Sequence, residues 1–184
     1  SKGAADQYVR DYARIYGLRT VVFRQSCIYG PHQFGLEDQG WVAWFAIRAL
    51  QNAPVTIYGN GKQVRDVLFV DDLVDAFEAA VEHGAKAAGQ VYNIGGGPGN
   101  TLSLLELIEI IEQVSGFRLK YRFGDWRAGD QRIFVSNTRK AEHDLGWRPR
   151  VAPKEGVSRL IDWLRRNQCR MPLQRLNSTA TSEP

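Results

Sequence analysis

The chain has 184 residues, of which 43% are apolar and 24% are charged, a composition typical of one globular domain with room for a core. Its net charge of +4 at pH 7 is too small to identify an anionic partner such as a nucleic acid. No apolar run approaches the ~20 residues that a membrane-spanning helix needs, and no signal peptide is visible. We therefore expect a cytoplasmic protein that does not enter a membrane.

The cysteines and histidines show no metal-binding pattern. Cys27 and Cys169 lie far apart, and the three histidines are scattered. This spacing is unlike that of a metal site, and two separate cysteines are usual in a reduced compartment. We expect no metal.

The first fifty residues alternate between helix and strand patterns. Residues 1–16 space their apolar side chains as an amphipathic helix does. Residues 18–26 centre on a short apolar run, which is typical of a strand in a parallel sheet. Residues 40–50 are apolar on nearly every side, which predicts a buried helix whose N-terminus near Gln39 could face a phosphate.

A strand, turn and strand pattern occupies the middle of the chain. We predict a strand at 55–58, a glycine turn, and a second strand at 67–70, together forming a hairpin. Asp71 or Asp72 would then cap a helix that runs to Gly84.

Two arginine-containing segments are candidate anion sites. Arg65 and Asp66 lie between the turn and the second strand, where a guanidinium could bind a phosphate bidentately or the two charges could simply pair with neighbours. Residues 127–132 contain an Arg-x-Gly-Asp sequence, which is either a solvated surface loop or a second cation for the same anion.

A glycine-rich segment at 95–100 follows a predicted strand at 90–94 and precedes a helix with a capping box at Ser103. Its position suggests a dinucleotide-binding loop, but Asn100 replaces the third glycine and Pro98 interrupts the pattern. We interpret the segment as a turn of the substrate-binding part.

The last third of the chain is predicted to contain a strand at 119–123, a short helix within 137–149 with Trp147 as a packing anchor, and a final helix at 153–166. Residues 167–184 become basic and then rich in serine and threonine, which predicts a disordered tail.

In this order, the motifs resemble those of the nucleoside-diphosphate-sugar epimerases and dehydratases, the extended short-chain dehydrogenase/reductases. The resemblance covers residues 1–166 and implies an α/β fold: the C-terminal portion of an extended Rossmann-fold enzyme, including its small mixed α/β substrate-binding domain, with the N-terminal Rossmann half absent. Residues 1–30 would be a remnant of the NAD-binding Rossmann domain, and residues 31–166 mostly the substrate domain with interleaved Rossmann segments. Residues 167–184 would be the tail.

The resemblance implies catalytic and cofactor-binding roles at the start of the chain. Lys2 matches the lysine of the family's Tyr-x-x-x-Lys motif, which lowers the pKa of the tyrosine and binds the nicotinamide ribose; a solvated lysine is the alternative. Gln25 and Ser26 would pass beside NAD, the implied cofactor. The motif's tyrosine would precede Ser1, and the sequence has no initiator methionine. We therefore expect a piece of a longer protein that is inactive by itself.

The implied substrate is a nucleoside-diphosphate sugar, contacted by Cys27, Gln39, Tyr58, Arg65, Arg127 and Asp130. Arg65 and Arg127 would hold the diphosphate from opposite sides. Tyr58 would lie beside the base, although a tyrosine could equally fill a strand edge. Cys27 stands where the family often has asparagine, and a small buried apolar residue is the alternative interpretation.

Residues 25–30 and 38–45 resemble one branch of the family, which epimerises CDP-paratose at C2 to CDP-tyvelose by transient hydride transfer. Three alternatives remain: a 4-epimerase or 4,6-dehydratase of the same fold, an inactive subunit that only binds the sugar nucleotide, and a basic nucleic-acid-binding module. We favour a CDP-sugar as partner. We expect no nucleic acid, and a homo-oligomer in the full-length protein.

Overall fold

The computed structural model describes residues 1–167 as an α/β fold, as predicted. The described helices are α1 (Lys2–Tyr16), α2 (Trp41–Leu50), α3 (Val70–Glu82), α4 (Gly84–Ala87), α5 (Leu104–Ser115), α6 (Arg139–Leu145) and α7 (Pro153–Arg166). The described strands are β1 (Val21–Gln25), β2 (Cys27–Tyr29), β3 (Val55–Tyr58), β4 (Val64–Phe69), β5 (Gln90–Ile94), β6 (Thr101–Ser103), β7 (Tyr121–Gly124) and β8 (Ile133–Phe134). In the predicted tail, residues 168–184 lie outside the described part. No described helix has the length and apolar character needed to span a membrane.

Parallel pairing joins strands that are far apart in the sequence. β1 pairs with β5, with Gln25 opposite Ile94, and β2 pairs with β4, with Cys27 opposite Val67. The carboxyl ends of parallel strands lie at one edge of a sheet, where α/β proteins bind their ligands. At that edge the amide of Ser26 donates a hydrogen bond to the carbonyl of Ile94 at 2.9 Å.

The predicted hairpin of residues 55–58 and 67–70 is wrong. β3 pairs with β7, whereas β4 pairs with β2, β6 and β8. The turn between them exists, with φ of 87° at Gly59 and 74° at Gly61, but it carries the chain from one sheet to another. β4 also begins at Val64, earlier than predicted, because its first residues pair with β6.

No aspartate caps α3, contrary to the prediction. The helix begins at Val70, so Asp71 and Asp72 lie in its first turn, where a carboxylate still stabilises the helix dipole. Asp72 is buried, and its carboxylate accepts hydrogen bonds from the amides of Arg150 and Val151, both at 3.0 Å. Asp72 therefore holds the segment before α7 against α3.

Two apolar clusters form the core. The larger cluster lies among α2, α5, α7 and β3, and the smaller one lies among α3, β5 and α6. β4 contributes to both, because Val67 and Phe69 point into the first and Leu68 into the second, as alternation along a strand requires. Trp147 is buried in the smaller cluster, which confirms it as a packing anchor.

Other elements agree more closely with the sequence patterns. β5 and α7 have the predicted bounds, whereas β1 begins at Val21 and β7 at Tyr121, later than predicted. The capping box of α5 is present: Ser103 Oγ accepts from the amide of Glu106 at 3.2 Å, and the Glu106 carboxylate accepts from the amide of Ser103 at 2.7 Å. These bonds lower the pKa of Glu106.

The glycine-rich segment after β5 packs closely on β4. A Cβ on Gly96 would lie 2.2 Å from the carbonyl oxygen of Val67, and a Cβ on Gly95 would lie 2.4 Å from Asp66 Oδ2. The amide of Gly97 donates to that same carboxylate oxygen at 3.1 Å. These contacts give a packing reason for the glycines and agree with the interpretation of the segment as a turn.

Candidate functional site

A cavity of about 340 Å³ opens between β3, β4, the loop before α2 and the loop after β7. Its volume is within the range of small-molecule sites. Five of the residues predicted to contact substrate line it: Gln39, Tyr58, Arg65, Arg127 and Asp130. The structure therefore brings together side chains from segments as far apart in the sequence as Gln39 and Asp130.

Arg65 lies on β4 at the inner side of the cavity. Its Nη1 donates to the carbonyl of Val64 at 2.9 Å, and its Nη2 donates to Asp130 Oδ1 at 2.8 Å. The side chains of Arg65 and Asp130 are only 16% and 26% exposed, so the pair is largely shielded from water. Arg65 is consequently oriented before any ligand arrives, and its guanidinium has further N–H donors to offer.

Arg127 lies at the rim of the same cavity. Its Nη2 is 2.9 Å from Asp38 Oδ1, and its Cζ lies 3.9 Å from the centre of the Tyr58 ring. Contact with the Tyr58 hydroxyl, and then the charge of Asp38, raises the pKa of Arg127 above its already high ordinary value. The cavity thus carries two permanent positive charges, each beside a carboxylate.

Tyr58 is held at both ends by residues that sequence reasoning did not assign. Its hydroxyl donates to Glu37 Oε1 at 2.9 Å, and its carbonyl accepts from Gln63 Nε2 at 2.8 Å. Gln63 is only 5% exposed, and its Oε1 is buried without a hydrogen-bond partner among the described residues. A polar glutamine beside Arg65 was the only available signal for Gln63, and Glu37 had none.

The loop before α2 forms a tight turn over the cavity. The amide of Leu36 donates to the carbonyl of Gln39 at 2.8 Å, and the amide of Gln39 donates back at 3.1 Å. Glu37 and Asp38 are the two residues at the tip. Gly40, which precedes the first helical residue of α2, also lines the cavity, so the helix N-terminus lies at the cavity wall. That it faces a phosphate stays a prediction.

Cys27 lies on β2 behind the cavity. Its thiol sulfur accepts a hydrogen bond from Trp41 Nε1 at 3.5 Å, and Trp41 itself lines the cavity. Cys27 does not line the cavity and is half-buried against the larger apolar cluster.

Lys2, Gln25 and Ser26 lie away from this cavity. Lys2 and Gln25 line a second cavity of about 650 Å³ between α1 and β1. Asp6 lines it too: its Oδ2 accepts from Arg24 Nε at 2.7 Å, and its Oδ1 is buried without a partner in the described part. Lys2 and Gln25 therefore form one group, separate from the five predicted substrate residues at the first cavity, while Ser26 and Cys27 line neither cavity.

A buried carboxylate connects the two groups. Ser26 Oγ donates to Asp66 Oδ1 at 2.7 Å, and Asp66 is fully buried next to Arg65 on β4. Since neighbouring residues of a strand point to opposite faces, Arg65 faces the first cavity while Asp66 faces the Ser26 side. β4 thus carries Arg65, which faces the first cavity, and Asp66, which holds Ser26.

Within residues 1–167, no group of three or more histidine, cysteine, aspartate or glutamate side chains is placed to hold a metal ion. What remains is a cavity with two fixed guanidinium groups, an aromatic ring and a helix N-terminus on an α/β scaffold. This combination is typical of a protein that binds a phosphorylated nucleotide.

Comparison with known proteins identifies the class. Residues 1–95 match the family described as the NAD dependent epimerase/dehydratase family. The chain is 46% identical over 168 residues to CDP-paratose 2-epimerase of Salmonella typhi, an alignment that covers 89% of this chain and 50% of that protein. It is 32% identical over 171 residues to dTDP-glucose 4,6-dehydratase of Salmonella typhimurium, covering 89% of this chain and 45% of that protein. The chain belongs to the NAD-dependent epimerase/dehydratase family.

Solved structures of two epimerases support this family assignment. UDP-glucose 4-epimerase of Thermotoga maritima, crystallised with UDP-glucose, superposes with a TM-score of 0.82 at 33% identity, covering 91% of this chain and 52% of that one. UDP-glucuronic acid 4-epimerase of Bacillus cereus, in complex with UDP-glucuronic acid and NAD, gives a TM-score of 0.77 at 26% identity, covering 88% and 50%. The chain spans about half the length of these relatives. The predicted Rossmann-type α/β fold is confirmed, and NAD is the cofactor of the family.

Proposed function

We propose that the full-length protein is an NAD-dependent epimerase of nucleoside-diphosphate sugars that converts CDP-paratose to CDP-tyvelose at C2. The observation that carries this proposal is that Arg65 and Arg127 line one cavity, where the guanidinium of Arg127 lies over the ring of Tyr58. Support for the CDP-sugar comes from the 46% identity to the Salmonella typhi enzyme.

The two arginines suit a diphosphate. Each guanidinium can offer parallel N–H donors to phosphate oxygens, and hydrogen bonds between charged groups are roughly twice as strong as neutral ones. Asp130 and Asp38 hold the arginines in place by single contacts of 2.8 and 2.9 Å. A diphosphate entering the cavity would bind Arg65 while Arg65 keeps its contact with Asp130. It would replace the exposed Asp38 as the partner of Arg127.

The second cavity suits the ribose of NAD. Lys2 offers an ammonium donor there, and the unpartnered Oδ1 of Asp6 offers an acceptor, a combination that fits the hydroxyl groups of a ribose. When bound, NAD supplies a hydride acceptor and donor. In the proposed mechanism Lys2 also lowers the pKa of the tyrosine that removes the sugar hydroxyl proton, and Gln25 and Ser26 border the nicotinamide.

In the proposed mechanism, residues of this chain hold the nucleotide in place while the stereochemistry of the sugar is inverted at C2. Arg65 and Arg127 anchor the diphosphate, so the sugar can rotate about its link to the phosphate while the nucleotide stays bound. Ser26 stays oriented because its hydroxyl donates to the buried Asp66. Tight anchoring of the non-reacting part is how binding energy is used to position a reacting carbon.

The test is turnover of CDP-paratose by the full-length protein, followed by proton NMR of the sugar. We expect formation of CDP-tyvelose, and loss of activity in Arg65→Ala and Arg127→Ala variants. Arg118→Ala is the matched control, because Arg118 is exposed and does not line the cavity. Absence of CDP-tyvelose with an intact, NAD-containing protein would refute the proposal.

A 4,6-dehydratase or a 4-epimerase is the second candidate, favoured by the 32% identity to dTDP-glucose 4,6-dehydratase. It predicts turnover of dTDP-glucose or UDP-glucose in place of CDP-paratose in the same assay.

A further inference from the structure

A third cavity, of about 430 Å³, lies next to the first one, with which it shares Glu37 and Thr56. Its positive charges are different ones. Arg48 of α2, Lys120 and Arg122 line the third cavity, and none of them lines the first. The volume is within the range of small-molecule sites, so the third cavity is a separate cationic feature of the surface.

The three cations of the third cavity are not neutralised by the protein. None of them forms an ion pair with a carboxylate within residues 1–167, whereas Arg65 and Arg127 in the first cavity each contact an aspartate. Glu37 is the one acidic residue among the described residues that line the third cavity, and its carboxylate accepts from the Tyr58 hydroxyl at 2.9 Å. Like charges gathered at one cavity repel each other, and a bound anion removes that repulsion.

Both guanidinium groups of the third cavity are held in place by neutral oxygens. Arg48 Nε and Nη2 donate to the carbonyl of Pro54 at 3.2 and 3.0 Å, and its Cζ lies 5.0 Å from the centre of the Trp44 ring. Arg122 Nε donates to Oγ1 of Thr56, its cross-strand partner, at 3.3 Å. These contacts orient the two forks and leave each with further N–H donors. Groups oriented in advance lose less conformational entropy when they bind a ligand.

Lys120 adds a third charge at the same place. It is exposed and immediately precedes β7, two positions before Arg122. Side chains two positions apart in an extended segment point to the same side. The ammonium group contributes a point charge, while the two arginines contribute forked donors that match oxyanion geometry. Three cations at one cavity suit an anion with more than one negative charge.

We infer that the third cavity binds a compact multivalent oxyanion, a phosphate or diphosphate group, at a site separate from the one proposed in the first cavity. Arg48 and Arg122 donate hydrogen bonds to its oxygens, and Lys120 supplies additional charge. Free diphosphate and the phosphate of a phosphorylated sugar share this chemistry. The experiment below therefore uses both.

The test removes the arginines of the first cavity, so that binding at the third cavity is measured by itself. Inorganic pyrophosphate and glucose 1-phosphate are titrated by calorimetry into the NAD-containing full-length protein carrying Arg65→Ala and Arg127→Ala. We expect at least one of them to bind, and the tighter of the two indicates whether the ligand is a free diphosphate or a phosphorylated sugar. Binding should weaken as salt is added, because the site is open to solvent.

Adding Lys120→Ala and Arg122→Ala to that protein should weaken binding by at least about tenfold, because charge-assisted hydrogen bonds are lost. The matched control adds Arg118→Ala and Lys154→Ala, which removes the same number of charges at exposed residues that do not line the third cavity. The control should bind as before. Thermal unfolding establishes that each variant is folded. If the combined variant does not fold, Lys120→Ala is compared with Arg118→Ala in the same titration.

A loss of binding that is confined to the Lys120 and Arg122 variants supports the inference. Equal weakening by the Arg118 and Lys154 control overturns it, because the anion would then respond only to the overall charge. Absence of binding by the folded protein that lacks Arg65 and Arg127 also overturns it. These outcomes leave the proposed function standing, since that is tested by turnover of CDP-paratose with the first cavity intact.

Discussion

Arg65 and Asp130 are 65 positions apart in the sequence, yet Arg65 Nη2 donates to Asp130 Oδ1 at 2.8 Å inside the cavity. The contact leaves part of the planar guanidinium available and fixes its direction. Lysine can reproduce the charge of Arg65 but not its forked geometry.

This contact predicts graded effects of substitution at position 65. Arg65→Ala should weaken CDP binding by about tenfold to a hundredfold, since hydrogen bonds to charged groups contribute about 1.5–3 kcal/mol. Arg65→Lys should lie between that variant and the wild type. Titration calorimetry measures both, with Arg118→Ala as control. Equal binding by Arg65→Ala and wild type would exclude Arg65 as a ligand contact.

A second prediction concerns the buried carboxylate of Asp66. It accepts from Ser26 Oγ at 2.7 Å and from the amide of Gly97 at 3.1 Å. Asp66→Ala leaves the Gly97 amide unsatisfied and leaves Ser26 Oγ only its longer contact of 3.2 Å with the backbone carbonyl of residue 66, which should lower the free energy of unfolding by about 1–3 kcal/mol. Urea denaturation checks the value. Asp125→Asn, at an exposed aspartate that forms no ion pair among the described residues, should change it by less than about 0.5 kcal/mol.

A third prediction separates the roles of neighbouring glycines. Gly96→Ala should destabilise the protein by about 1–3 kcal/mol, because its Cβ would lie 2.2 Å from the carbonyl oxygen of Val67 and the backbone must shift. Gly99→Ala should be nearly neutral, since a Cβ there meets no atom within 4 Å. Thermal denaturation of the two variants provides the comparison. Similar melting temperatures would contradict the packing explanation for the loop.

A fourth prediction concerns pH. Asp144 is 2.7 Å from His143 Nδ1, 2.9 Å from Lys140 Nζ and 3.4 Å from Lys86 Nζ, and these groups, His143 first, lower its pKa. An aspartate with a lowered pKa in the folded state stabilises the fold above its ordinary pKa of about 3.9. That stabilisation is lost as the pH falls through the folded value.

Asp144→Asn should therefore be less stable than the wild type at pH 7, and the difference should shrink below about pH 4. Urea denaturation at pH 7, 4 and 2.5 measures it. Asp125→Asn, at an exposed residue that forms no ion pair among the described residues, should change stability little at pH 7. A difference for Asp144→Asn that grew towards acid pH would reverse the assigned sign.

Local chemistry made part of this structure predictable. The capping box at Ser103 and the helix starting at Pro153 were evident because their signals lie within a few residues. Tyr58, Arg65 and Arg127 could be proposed together because their motifs follow one another in a recognisable order, and the structure places them at one cavity. Their contacts with ligand remain predictions.

The rest depended on contacts that no local pattern encodes. The pairing of Val55 with Tyr121 replaced the predicted hairpin, because the partner of β3 lies more than sixty residues away. The burial of Asp66 could not be predicted, since a charged residue beside an arginine suggests a surface ion pair. Glu37 lies in a polar loop, and its contact with the Tyr58 hydroxyl depends on a loop conformation that no local pattern predicts.

β4 places Leu68 in one apolar cluster and its neighbours Val67 and Phe69 in the other. Damage to either cluster therefore distorts a strand on which the other depends. The two clusters should melt in a single cooperative transition, and no cut within β4 would yield two independently folding pieces. The same coupling means that a stabilising substitution far from the cavity, for instance around Trp147, would also make Arg65 less mobile.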